Sequence, residues 1–94
     1  MNTIKLPVQR PDGLFVQYYT VQELKFGETT FEAVIGAWAN VEDAAKNNYP
    51  ELTLSVTLPH NGISTATDGL LERICALPDW GGSVIIDLGS ELLR

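Results

Sequence analysis

The segment FEAVIGAWANVEDAAKNNYPELTLSVTLPHNG, Phe31 to Gly62, is the most informative about the fold, because it joins two strand patterns through a short helix pattern. Residues 29–39 alternate in side-chain character, which predicts a strand. Asn40 is suited to the N-cap of a two-turn helix, with Asp43 at the third helical position. In residues 52–58, leucine and valine alternate with threonine and serine, which is the clearest strand pattern in the chain. The segment is therefore predicted to be strand, helix, strand.

The N-terminal third predicts a hairpin. Residues 3–8 alternate as a half-buried strand does, and Pro7 lacks an N–H group, which favours a position at a sheet edge. The sequence RPDGL at residues 10–14 has the proline, aspartate and glycine that a tight turn requires. Residues 14–26 then form a long strand whose alternation breaks, and we expect a bulge near residues 20–22.

The C-terminal third predicts the main helix. Residues 64–78 carry an apolar stripe, and Thr65 with Asp68 resembles a capping box. Pro78 ends this helix, and residues 83–88 read as a short strand. We expect residues 84–94 to be either a mobile segment or one that docks on a partner.

These patterns predict one domain over residues 1–94, of the α+β class. Its architecture is a small antiparallel β-sheet of about four to five strands, with one short and one main helix packed on a face. Small side chains on one face of the strand at residues 29–39, among them Ala33 and Ala37, indicate that the short helix packs closely there.

Composition and charge exclude several kinds of partner. The chain has 94 residues, is 45% hydrophobic, and carries 12 acidic against 6 basic side chains, a net charge of −6. An acidic chain is not expected to bind nucleic acid or an anionic membrane surface, whereas it suits a basic protein partner. The N-terminal sequence lacks the pattern of a signal peptide and no apolar stretch is long enough to span a membrane, so we expect a cytoplasmic protein.

Catalytic residues are scarce. His60 is the only histidine and lies in a turn sequence, where a solvated side chain is expected. Cys75 is the only cysteine and falls on the apolar stripe of the main helix, where it acts as a small apolar side chain. The sequence contains no metal-binding or phosphate-binding motif. We therefore expect no catalytic, metal or cofactor site, and a protein that is not an enzyme.

The aromatic side chains are the strongest functional indication in the sequence. Tyr18 and Tyr19 are consecutive and should point to opposite faces of a strand. Trp38 lies opposite the small-residue face of its strand, and Trp80 follows the main helix. A domain this small is not expected to bury all four easily, and Tyr and Trp are enriched at interfaces. The core, or a separate apolar cluster, is the first interpretation of these four side chains, and the alternative that bears on function makes them interface candidates.

The segments IKLPVQRPDGLFVQYYTVQELKF, FEAVIGAWANVEDAAKNN and LTLSVTLP resemble small proteins encoded in the structural-gene regions of bacteriophages and prophages. The shared pattern is a strand carrying Leu-Pro, a polar turn, a tyrosine-rich strand, a strand ending in an aromatic residue, a short helix and a strand ending in Leu-Pro. It covers residues 4–59. The resemblance implies a non-enzymatic virion or tail-associated protein, oligomeric, located in a virion or in the host bacterial cytoplasm, and it supplies no catalytic residues.

Two functions remain open from the sequence. The first is a phage structural or accessory protein that acts by self-association or by binding other virion proteins. The second is a monomeric acidic inhibitor, of an anti-defence or immunity type, that covers a basic surface on a partner protein. The two differ in their response to salt, because screening weakens the attraction between an acidic and a basic protein.

Overall fold

A computed structural model describes residues 1–93, which form one five-stranded antiparallel sheet with short helices on both faces. The strands are β1 (Asn2–Gln9), β2 (Phe15–Phe26), β3 (Thr30–Trp38), β4 (Leu52–Pro59) and β5 (Val84–Asp87). The helices are α1 (Val41–Lys46), α2 (Leu70–Cys75) and α3 (Leu88–Leu92), and single 3-10 turns occupy Ile63–Thr65 and Pro78–Trp80. The strand order is β4-β3-β2-β1-β5. The predicted α+β class is confirmed.

Three local features form as the sequence predicts: the cap of α1, the turn between β1 and β2, and the bulge in β2. The side chain of Asn40 accepts the N–H of Asp43 at the start of α1, and Asn47 ends this helix in the left-handed conformation. Gly13 takes a φ of 92° in the turn between β1 and β2. The pairing of β2 with β3 shifts by one residue between Val21 and Glu23, so the predicted bulge is confirmed.

The sheet has an apolar cluster on each face. On the first, which we call the α2 face, Tyr19, Ile35 and Trp80 pack with Ile74 of α2. The opposite α1–α3 face has a smaller cluster, whose buried members are Tyr18, Trp38, Ala44 and Leu88. Two helices cover this second face, because α1 and α3 contact each other as well as the sheet.

The short helix lies on the face opposite to the one expected. Ala37 belongs to the cluster on the α2 face, whereas Ala44 of α1 packs with Trp38 on the other side of the sheet. The position of Trp38 accounts for this, since its large ring needs cover and its indole N–H donates to the carbonyl of Asn48, just beyond α1. The prediction that α1 covers the small residues of β3 is wrong.

Pro7 does not mark an edge strand. β1 lies between β2 and β5, so it is an inner strand of the sheet. β5 pairs with β1 only as far as Lys5, and the pairing of β1 with β2 shifts between Lys5 and Val8. Pro7 therefore sits at an irregularity beyond the end of β5, where its missing N–H costs no regular ladder bond.

The main helix is shorter than its apolar stripe. Only Leu70–Cys75 are α-helical, and Gly69 precedes them with a φ of 60°, in the left-handed region. A left-handed residue interrupts helical hydrogen bonding, so residues 64–69 form turns instead. No side-chain cap from Thr65 starts a long helix there, and that part of the prediction is wrong.

The C-terminal segment docks on the chain's own sheet. β5 pairs with β1 in an antiparallel register, and α3 follows it directly. Leu88 is buried, and the Glu91 carboxylate accepts hydrogen bonds from Lys5 and Tyr18. Residue 94 lies outside the described residues. Within residues 1–93, no helix has the length and apolar character needed to cross a membrane.

Candidate functional site

The four aromatic interface candidates are all core residues. Tyr18, Tyr19, Trp38 and Trp80 are exposed by 5%, 4%, 1% and 6%. Tyr19 and Trp80 pack edge-to-face on the α2 face with ring centroids 5.0 Å apart. A domain of this size was not expected to bury all four easily, and it does so because helices on both faces of the sheet create two apolar clusters.

Polar partners explain how these rings are buried. The Tyr19 hydroxyl donates to the carbonyl of Leu6, and the Tyr18 hydroxyl donates to Glu91. Burial raises the pKa of Tyr18, and its hydrogen bond to Glu91 adds to this rise while the charge of Lys5 opposes it. These contacts are structural, and they leave neither ring available to a partner.

The titratable side chains of residues 1–93 do not form a cluster of the kind that a reactive centre needs. His60 is held by two backbone contacts: its Nδ1 accepts the N–H of Gly62, and its Nε2 lies 2.9 Å from the carbonyl of Gly27. Since Nδ1 acts as an acceptor, the proton belongs on Nε2. Cys75 is half-buried against the α2-face cluster. Among residues 1–93, no group of three or more His, Cys, Asp or Glu side chains is placed to hold a metal ion.

The outer edge of β4 is the longer of the two edges of the sheet. β4 is a terminal strand, and no strand among the described residues pairs with its outer side. Its sequence, LTLSVTLP, contains no charged residue. The opposite edge strand, β5, has only four residues. Natural edge strands are usually short, charged or covered, so a long uncharged edge indicates a place where another chain can pair.

Pairing with β3 determines which groups point outward. The N–H of His60 donates to the carbonyl of Thr29 in the register that joins β4 to β3. Backbone groups alternate in direction along a strand, so Leu54 and Val56 also point their N–H and C=O groups toward β3. By the same alternation, the corresponding groups of Thr53, Ser55 and Thr57 point away from the sheet. This set of three residues is called the open edge below.

The backbone groups that flank the open edge on either side are not free to pair with another strand. Toward the N-terminus, the N–H of Glu51 donates to the carbonyl of Ala37 and is not available outside the sheet. Toward the C-terminus, Pro59 has no N–H, and its carbonyl accepts a hydrogen bond from Arg73 of α2. The open edge is therefore limited to three residues, with Ser55 at its centre.

A cleft of about 310 Å³ lies beside the open edge on the α2 face. Residues 54–56 of β4 form one wall, and Leu6, Val8 and Trp80 contribute to the others. Arg10 also lines the cleft, and its Nε is buried without a hydrogen-bond partner among the described residues, 3.6 Å from the Asp12 carboxylate.

The most exposed aromatic residue is Tyr49, which was not among the four interface candidates. It precedes β4, and its side chain is 96% exposed. Ile63, in the turn after β4, is 65% exposed. Two signals in the sequence could have pointed to this region: the absence of charge in residues 52–59, and the position of Tyr49 immediately before a proline in a loop.

No family model matches the chain, and no curated protein and no solved structure matches it significantly.

Proposed function

We propose that this chain is a non-enzymatic protein that acts by associating with protein through the open edge of β4. The observation that carries the proposal is the row of outward backbone groups at Thr53, Ser55 and Thr57, on an uncharged terminal strand. An extended segment of another chain can pair with such an edge, with main-chain hydrogen bonds supplying affinity and side chains supplying specificity.

The free energies expected for strand pairing at the open edge favour a reversible association. Each hydrogen bond made on pairing contributes about 0.5–1.5 kcal/mol net, because the groups exchange bonds with water. Leu54 and Val56 are half-buried, and the side chains of a strand paired beside β4 would remove more of their apolar surface from water. Since association itself has an entropic cost of several kcal/mol, an open edge of three residues supports moderate affinity for one partner.

A narrower role follows from the resemblance of residues 4–59 to small proteins of phage structural-gene regions. A particle or tail is assembled from many copies of few chains, and small domains with an unpaired edge suit that use. We propose on this basis that the protein is a structural or accessory component of a phage virion or tail.

The experiment is site-specific photo-crosslinking in cells that make the protein. A photoreactive phenylalanine analogue replaces Ser55, and the matched control carries it at Thr67, which is also exposed but lies in the turn before α2. We expect a discrete adduct from position 55 that position 67 does not form. Equal labelling at both positions, or no adduct from position 55, contradicts a role for the β4 edge.

A further inference from the structure

We infer that the occupant of the open edge is a second copy of this chain, paired antiparallel to the first with a two-fold axis passing beside Ser55. The inference rests on the proposed role of the β4 edge and names its partner. It follows from three features of β4: the pattern of its backbone groups, the way its ends are closed, and the side chains that the register brings together.

The backbone groups of the open edge match those of a second copy. In an antiparallel pair, two residues that face each other with outward groups exchange two hydrogen bonds. With Ser55 opposite Ser55 of the partner, Thr53 lies opposite the partner's Thr57, and Thr57 lies opposite the partner's Thr53. Every outward N–H and C=O group of the open edge is then used, in about six hydrogen bonds.

The closed ends exclude neighbouring registers. A shift by one residue would place inward-directed groups opposite outward ones, so no ladder forms. A shift by two residues brings the open edge against Glu51 or Pro59, whose groups are bonded to Ala37 and Arg73 or are missing. The register centred on Ser55 is therefore the one that leaves no outward group unpaired.

The side chains are compatible with the same register. On the α1–α3 side of the sheet, threonine faces threonine and Ser55 faces its copy, pairs that are favourable across antiparallel strands. On the α2 face, Leu54 lies beside the partner's Val56, which removes half-buried apolar groups from water. No charged residue of β4 faces another, because β4 has none.

The flanking segments extend this contact. The register carries Tyr49 of one copy toward Asn61 of the other, two residues before Ile63. Tyr49 and Ile63 are large, apolar and exposed in the isolated chain, and each would gain cover. The axis repeats this contact on the other side, as it does for any interface between identical surfaces.

The charge of the chain sets how the pair responds to salt. Each copy carries −6, so two copies repel each other. Screening reduces this repulsion, and an uncharged β4 has no attraction for salt to weaken. Dimerisation through β4 should therefore strengthen as salt is added, which is opposite to the behaviour of an acidic protein on a basic partner.

The register is tested with cysteine variants of the full chain in a Cys75→Ala background. Residues that face each other in a hydrogen-bonded pair have Cα atoms about 5.5 Å apart, within the range that a disulfide spans. On mild oxidation we expect Ser55→Cys to form a dimer of twice 10.3 kDa, about tenfold faster or more than Thr67→Cys does. Thr53→Cys should crosslink slowly alone and rapidly when mixed with Thr57→Cys.

Light scattering on the unmodified chain gives an independent measure. We expect the average mass to rise toward a dimer over about a hundredfold increase in concentration, and to rise further with salt. A monomer under all these conditions, together with equal oxidation rates for Ser55→Cys and Thr67→Cys, overturns the inference. Fast crosslinking of Thr53→Cys alone overturns the register.

These outcomes separate the inference from the proposed function. A purified chain that stays monomeric, while the photoreactive group at position 55 captures a protein of different mass in cells, refutes self-pairing and leaves the β4 edge as the binding surface. Failure of the position-specific adduct in cells removes both.

Discussion

Replacing Trp80 with alanine should destabilise the fold of the single chain. The indole is 6% exposed, packs edge-to-face on Tyr19 and joins the apolar cluster on the α2 face. Removing a buried tryptophan costs about 3–5 kcal/mol through lost apolar burial and the cavity that remains. Because Trp80 also lines the cleft beside β4, part of that cavity is open to solvent, so we expect the lower end, about 3 kcal/mol.

That loss is large for this chain. Small domains are stable by about 5–15 kcal/mol, so Trp80→Ala should remove a substantial part of the free energy of unfolding. A loss of this size lowers the Tm of a domain this long by more than about 10 °C. The assay is denaturant unfolding followed by circular dichroism, at a concentration where the chain is monomeric by light scattering.

The matched control is Tyr49→Ala. Tyr49 is the most exposed aromatic residue and should change the stability of the monomer by less than about 0.5 kcal/mol. If Trp80→Ala costs less than about 1 kcal/mol, or if Tyr49→Ala costs as much as Trp80→Ala, then the assignment of Trp80 to the core is refuted.

Three further predictions concern β3, β4 and the start of α1. Gly36→Ala should cost about 1–3 kcal/mol in denaturant unfolding, because an added Cβ would lie 3.0 Å from the ring of Trp38; an unchanged midpoint would contradict this contact. Val56→Pro should lower the Tm far more than Ser55→Pro does, since only the first removes an N–H directed at β3; equal losses would refute the alternation derived for β4. Hydrogen bonds from two asparagine side chains lower the pKa of Asp43, so its contribution to stability is present above its ordinary value of 3.8 and disappears as the pH falls through the lowered pKa. As the pH is lowered below 3.8, the Tm of Asp43→Asn should therefore fall less steeply than the Tm of the unmodified chain. An identical fall of the Tm in both proteins would contradict the prediction.

Features determined by neighbouring residues could be read from the sequence. The cap at Asn40 and the turn around Gly13 depend on a few consecutive side chains, and both form as predicted. The bulge near Gln22 was visible because it changes which residues share a face. The strand at residues 52–58 was predicted from its alternation alone. In each case the decisive contacts lie within the span over which the pattern is read.

The candidate site could not be read in this way. Alternation along a strand shows which side chains share a face, but it does not show which strands are neighbours. Pro7 led to the prediction that β1 is an edge strand. Pairing with β5 instead makes β1 an inner strand, and β4 is a terminal strand of the sheet. The outward direction of the backbone at Ser55 is decided by hydrogen bonds to β3, which join residues far apart in the chain.

The burial of the aromatic residues also depended on the tertiary structure. From the sequence, Tyr18 and Tyr19 point to opposite faces of a strand, and that alternation holds. Whether each face is covered depends on where the helices pack, and α3 reaches the second face only because β5 returns to pair with β1. Contacts between near neighbours set the strands, the cap of α1 and the alternation of side chains between faces, which is why these features follow from the sequence. The tertiary structure decided which edge stays open and which rings are buried, because long-range pairing sets both.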